Sequence, residues 1–198
     1  KKEKITNSNK IKIIHFGIDT SFFKRQIVKS NKKNLTILSL RNHYPIYNIE
    51  TILMACDYLN KKNISFKCLI FGDGPSTQKF LDYIKKNNLK DKVFVLGKYD
   101  KKKIVNIISD GGIAASTAEA MLLEVCCIVS NNSDNTKWIK DGKNGFLVSN
   151  YDYKKIAETI NKYKDKQKTL VKIGKRAKAT IEKYNNYHDA IDYDRQMR

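Results

Sequence analysis

Short, uninterrupted apolar runs alternate with amphipathic stretches through most of this chain, and that alternation restricts its fold more than any other feature. The runs occupy residues 11–14, 35–40, 66–71, 93–96, 125–130 and 146–148. Between them, Ile49, Ile52, Leu53, Cys56 and Leu59 recur at helical spacing, as do Phe80, Leu81 and Ile84. A strand without polar alternation has to be covered on both sides, so the pattern predicts an α/β fold: a mainly parallel sheet with helices on both faces. From residue 153 onward the pattern is helical only, with one helix marked by Ile156, Ala157, Ile160 and Tyr163 and another over residues 170–184. Sheets of this kind bind ligands at the carboxyl ends of their strands. The loops after Leu40, Phe71 and Leu96, and the one before Ser116, are therefore where function is expected.

With 198 residues, the chain is long enough for one large domain or two small ones. The near absence of punctuation, Pro45 and Pro75 being its prolines, favours a single domain over residues 1–198, best supported over 11–177. The polar stretch 185–198 reads as a tail that packs on an absent partner domain. No run approaches the ~20 apolar residues of a membrane span, and the charged first ten residues do not read as a signal peptide. The chain does not begin with Met, as expected of a piece of a longer protein.

Cys56, Cys68, Cys126 and Cys127 each lie in an apolar run without a CxxC pair, which predicts buried, reduced thiols and a cytoplasmic location. His15, His43 and His188 are isolated, so no metal site is expected. Lys and Arg total 39 against 20 acids, a formal charge of +19, which attracts polyanions, anionic lipid included. Many of the lysines fall in clusters such as Lys61-Lys62-Asn63 and Lys85-Lys86-Asn87-Asn88 at expected helix ends. The expectation is a solvated surface with mild anion attraction; no nucleic-acid motif points to a dedicated interface.

Four segments can carry chemistry. Gly111-Gly112-Ile113-Ala114-Ala115-Ser116-Thr117-Ala118-Glu119-Ala120-Met121 places glycines and then a Ser116 or Thr117 cap before a helix. Its first N–H groups then face an anion, and Glu119 in the first turn can accept hydrogen bonds from hydroxyls; the plainer reading is a capped loop. Arg41 follows a strand and can fork onto phosphate oxygens, or it is a surface residue in a turn. Phe71-Gly72-Asp73-Gly74-Pro75-Ser76 reads as a strand, a tight turn and a helix opened by Pro75, with main chain close to the crevice. Gly97, Lys98 and Tyr99 form a weaker turn at the same edge. Asp141-Gly142-Lys143-Asn144-Gly145 reads as structural punctuation between a helix and a strand.

In order, these segments resemble the C-terminal, donor-binding half of the group 1 (family 4) glycosyltransferases. Gly17-Ile18-Asp19-Thr20-Ser21-Phe22-Phe23 is similar to the family's G-x-D-x-x-x-F entry segment, and Phe71-Gly72-Asp73-Gly74-Pro75 to its GDGP turn. Val93-Phe94-Val95-Leu96-Gly97 is similar to its F-L-G strand end, Glu119-Ala120-Met121 to the close of its paired-glutamate motif, and residues 141–148 to its D-G-x-x-G-x-L-V turn. The resemblance implies half of a GT-B fold, a Rossmann-like nucleotide-sugar domain whose cleft faces a missing N-terminal acceptor domain. It implies that Arg41 holds the diphosphate, that the helix opening at Ser116-Thr117 offers N–H groups to the distal phosphate, and that Glu119 accepts the ribose hydroxyls. Gly97, Lys98 and Tyr99 would touch the base, with Gly72, Asp73, Gly74 and Gly112 lining the donor. The implied activity is retaining sugar transfer from a nucleoside-diphosphate sugar to a glycan or lipid-linked acceptor in polysaccharide biosynthesis. No metal or other cofactor is expected, and the chain alone would be inactive.

The sequence departs from the family in two places. A Lys-Gly usually follows the Arg and adds a second cation; here Pro45-Ile46-Tyr47-Asn48 stands, leaving Arg41 alone or helped by Lys98. The family also has a strand and loop of about ten residues that are absent between Asp110 and Gly111, and losing a central parallel strand would expose much apolar surface. The expectation is a skipped segment at that junction. Two other readings stay open: a non-catalytic sugar-nucleotide or polyanion (nucleic-acid) binding module, and another GT-B enzyme such as a nucleotide-sugar epimerase.

Overall fold

The computed structural model describes residues 35–99, 117–132 and 135–184. The expected strand 11–14, the segment 17–23, the helix 101–109, the Asp110/Gly111 junction, Gly112, Ser116 and the tail 185–198 lie outside the described residues.

Strands β1 (Leu35–Ser39), β2 (Phe66–Phe71) and β3 (Val93–Gly97) form a parallel sheet in that order. Parallel neighbours need crossovers, and these are α1 (Ile49–Lys61) between β1 and β2 and α2 (Thr77–Lys86) between β2 and β3. Helix α3 (Thr117–Leu122) precedes β4 (Ile128–Ser130), and the short α4 (Asn135–Trp138) leads to β5 (Phe146–Val148), parallel to β4. Helices α5 (Tyr153–Tyr163) and α6 (Gln167–Tyr184) complete the described chain.

Alternate strand residues feed two cores. Ile37, Cys68 and Ile70 pack with Ile49, Leu53 and Leu59 of α1, Phe80 of α2 and Ala157 and Ile160 of α5. Leu38, Leu40, Leu69 and Phe71 pack on the opposite side with Met121, Leu122, Val129, Ile139, Ala177 and Ile181. Both faces are thus covered, as continuous apolar strands require. Each buried Leu, Ile or Phe contributes roughly 1.5–3 kcal/mol against leaving it in water.

Within the described residues the expected parallel strands are present, and two element boundaries need correction. Among the described residues the strands form a three-stranded and a two-stranded sheet, joined by the shared core around Leu38 and Val129 and not by a ladder from β1 to β4. The strand expected over 125–130 is confined to Ile128–Ser130. Its first residues are spent ending α3: Glu124 turns left-handed at φ 60°, and the Val125 N–H bonds the Ala120 carbonyl at 2.9 Å. Helix α2 begins at Thr77, two residues after Pro75, because residues 72–76 are committed to the turn described below.

The lysine clusters do mark helix ends. Asn63 and Asn88 sit left-handed (φ 56° and 55°) just past α1 and α2. The Ile64 and Leu89 N–H groups reach back to Leu59 and Ile84, both at 3.0 Å, the six-to-one bond of a Schellman stop. The basic residues there, Lys61, Lys85 and Lys86, complement the negative end of the helix dipole. Among the described residues no helix is long and apolar enough to cross a membrane.

Candidate functional site

In the β1–β2 ladder Ser39 pairs with Ile70, so the chains leaving the two strands run side by side and bring Arg41 to Gly72. Gly72 has φ +112°, and a Cβ there would overlap the Arg41 carbonyl; only glycine permits this approach. Gly74, at φ +155°, is also closely packed: a Cβ there would fall 2.8 Å from the His43 carbonyl oxygen. Two backbone bonds seal the loops: the His43 N–H donates to the Asp73 carbonyl and the Ser76 N–H to the His43 carbonyl, both at 2.9 Å.

His43 is the pin of this unit, and sequence reasoning missed it. Its Nδ1 lies 2.8 Å from Thr77 Oγ1, which in turn donates to the Gly74 carbonyl at 2.7 Å. The ring stands edge-on to Phe80 with centroids 5.0 Å apart. The side chain is buried, and Nε2 has no partner in hydrogen-bond geometry. Burial pushes its pKa below the ordinary 6.5, against the opposing pull of the Phe71 backbone and the Asp73 carboxylate. An isolated histidine between Arg41 and Pro45 carries no spacing signal that separates this role from a surface position.

Asp73 is exposed, yet one carboxylate oxygen accepts from the Gly74 N–H at 2.8 Å. That oxygen stabilises the turn. The third strand joins the unit through Gly97 (φ +70°), whose carbonyl accepts from the Gly72 N–H at 2.8 Å where the β2–β3 register shifts. Lys98 is exposed, while Tyr99 is half-buried with its ring edge-on to Phe71 at 5.8 Å.

Glu119 sits half-buried in the first turn of α3, two residues after Thr117, which opens that helix. The Tyr99 hydroxyl reports its neighbourhood: burial raises its pKa most, Glu119 raises it further, and Arg41 opposes. Glu119 and Arg41 thus both act on the Tyr99 hydroxyl, while Gly72 touches the Arg41 backbone and bonds Gly97. A guanidinium with a carboxylate at a strand edge can hold an anion that also carries hydroxyl donors.

The ring beside Arg41 was also missed. Tyr47 lies with its ring centre 5.5 Å from the Arg41 guanidinium carbon. The turn at 141–145 is structural, as expected. Asp141 accepts from the Leu147 N–H at 2.9 Å, and buried Asn144 bonds Lys140 N, the Trp138 carbonyl and Thr180 Oγ1.

A family model described as glycosyl transferases group 1 matches residues 20–180. The chain is 25% identical over 151 residues to a poly(ribitol-phosphate) alpha-N-acetylglucosaminyltransferase of Staphylococcus aureus, spanning 71% of this chain and 31% of that relative. Among solved structures, Anabaena HepE in complex with UDP-glucose matches with a TM-score of 0.80 at 15% identity, over 94% of this chain and 56% of that one. The C-terminal domain of a group 1 family glycosyl transferase, LpcC from Francisella tularensis, matches with a TM-score of 0.74 at 17% identity, over 86% of this chain and 99% of that domain. These structural likenesses establish the fold, an α/β Rossmann-like domain shared with GT-B glycosyltransferases.

Proposed function

The chain belongs to the group 1 glycosyl transferases, and we propose that it is the donor-binding half of a retaining glycosyltransferase that takes its sugar from a nucleoside diphosphate. The observation that carries this reading is the close approach of Gly72 to the Arg41 carbonyl, which fixes Arg41 at the carboxyl edge of β1–β3, where such folds hold ligands; the Tyr99 hydroxyl there feels both Arg41 and Glu119.

Departure of a nucleoside diphosphate leaves negative charge on its phosphate oxygens, and a pre-placed cation lowers the barrier by meeting that charge as it develops. Arg41 supplies it, with a planar fork suited to phosphate, so the proposal needs no metal ion. Glu119, acceptor-only when ionised, takes hydroxyl donors of the ribose. The glycine turns at Gly72 and Gly74 let main chain approach the ligand, and Gly97, Lys98 and Tyr99 close on the base. HepE's partnership with UDP-glucose makes a uridine nucleotide the first donor to try.

The acceptor in this proposal is a cell-surface glycan or lipid-linked glycan, met by an N-terminal domain of a longer protein at the cytoplasmic face of the membrane. The name of the Staphylococcus aureus relative and the net charge of +19 support an anionic acceptor or surface. Thermal-shift titration of the intact protein with UDP-, GDP- and ADP-sugars tests the reading, with an oligonucleotide of matched charge as control. Stabilisation by one nucleotide sugar supports it. Tighter binding of the oligonucleotide, with a steep salt slope, identifies a polyanion-binding module instead.

A further inference from the structure

The segment after Arg41 is built to hold one aromatic ring in place. Pro45 opens a single 3-10 turn over Pro45–Tyr47, closed by the Tyr47 N–H to the Tyr44 carbonyl (3.0 Å) and the Asn48 N–H to the Pro45 carbonyl (3.1 Å). Asn48 then turns left-handed at φ 50° and its carbonyl accepts from the Thr51 N–H at 3.2 Å, which fixes the turn onto the start of α1. Of the side chains displayed, Ile46 is 85% exposed, whereas Tyr47 is 42% exposed and has the Arg41 guanidinium 5.5 Å from its ring centre.

We propose that Tyr47 is a positioning residue: its ring braces the Arg41 guanidinium at the sheet edge so that the fork is pre-set for a nucleoside diphosphate. The inference rests on the donor-site reading above. A tyrosine adds no charge beside Arg41; its ring restricts the side chain that carries the charge. A long arginine loses rotamer freedom when it engages phosphate, and a ring that already holds it in the bound orientation removes part of that cost.

The test is calorimetric titration of UDP, GDP and ADP into the intact protein, and then of the tightest-binding of the three into Tyr47→Ala, Tyr47→Phe, Arg41→Ala and the Arg41→Ala/Tyr47→Ala double variant. Tyr47 contributes no core packing, and thermal melts confirm that each variant is folded. Tyr47→Ala is expected to weaken binding of that nucleotide about two- to fivefold, the scale of an exposed cation–π contact, while Tyr47→Phe keeps the ring and stays within about twofold. In the Arg41→Ala background, loss of Tyr47 is expected to change nothing further. Wild-type affinity in Tyr47→Ala overturns the brace alone, as does equal weakening in Tyr47→Phe or an undiminished effect of Tyr47→Ala without Arg41. Failure of the wild type to bind UDP, GDP or ADP overturns the donor reading and the brace together.

Discussion

Gly72 and Arg41 meet backbone to backbone: a Cβ on Gly72 would drive into the Arg41 carbonyl group, and Gly72 holds φ +112°. The position of the candidate phosphate ligand is thus set by a glycine in the neighbouring loop. Gly72→Ala meets both the strain of that dihedral and the collision, at a cost of about 2 kcal/mol or more. Urea unfolding should show a clearly lowered midpoint, and nucleotide affinity should fall with it because Arg41 is displaced. An unchanged midpoint would mean that the two loops are not locked together.

His43 gives the fold a pH dependence of definite sign. Burial holds its folded pKa below 6.5, so the unfolded chain takes up the proton first as pH falls. Stability from the neutral ring is fully present above about pH 6.5 and declines as pH drops through that value towards the lower folded pKa. Urea midpoints measured from pH 8 to pH 5 should fall in the wild type. The non-titrating His43→Asn variant should be less stable at pH 8 and flatter below pH 6.5; an equally steep fall in both removes His43 as the cause.

The C-terminal helix offers a test in which propensity and packing predict opposite signs. Gly174 lies in mid-α6, where replacing glycine by alanine ordinarily stabilises by up to about 1 kcal/mol. Here a Cβ would overlap the Glu124 backbone carbonyl, at the left-handed residue that ends α3, with Lys178 paired to the Glu124 carboxylate at 3.7 Å. Gly174→Ala should therefore destabilise, with a lower thermal midpoint. A raised midpoint would show that α6 does not press on that turn.

Thiol chemistry should be silent in the folded protein. All four cysteines are buried, and burial pushes the Cys126 thiol up to about 12 and Cys127 higher still. Thiolate is the reactive form. Dithionitrobenzoate at pH 8 should leave the native chain unlabelled and label all four positions in concentrated urea; rapid native labelling would contradict the packing of α1, β2 and the α3–β4 turn.

Much of this architecture was legible in the sequence because it rests on local periodicity. The strands at 66–71 and 93–96, the helices at Ile49, Phe80 and Tyr153, and the asparagines that end α1 and α2 all follow from apolar spacing and turn chemistry. The late start of β4 was hidden because Val125, Cys126 and Cys127 are apolar in either a strand or a helix stop. Arg41, Gly72 and Glu119 could be named from loop position and motif order. His43 and Tyr47 could not: their roles depend on how two loops after different strands lie against each other, and no spacing along one loop encodes that.

The side chains proposed to hold a nucleoside diphosphate at the carboxyl edge of β1–β3 are Arg41 and Glu119. Calorimetric titration of UDP and UDP-glucose into the intact protein, wild type against Arg41→Ala and Glu119→Ala, tests that proposal. The wild type should bind, and each variant should lose about tenfold or more in affinity, the 1.4 kcal/mol scale of one charge-assisted hydrogen bond. Unchanged affinity in both variants would contradict it.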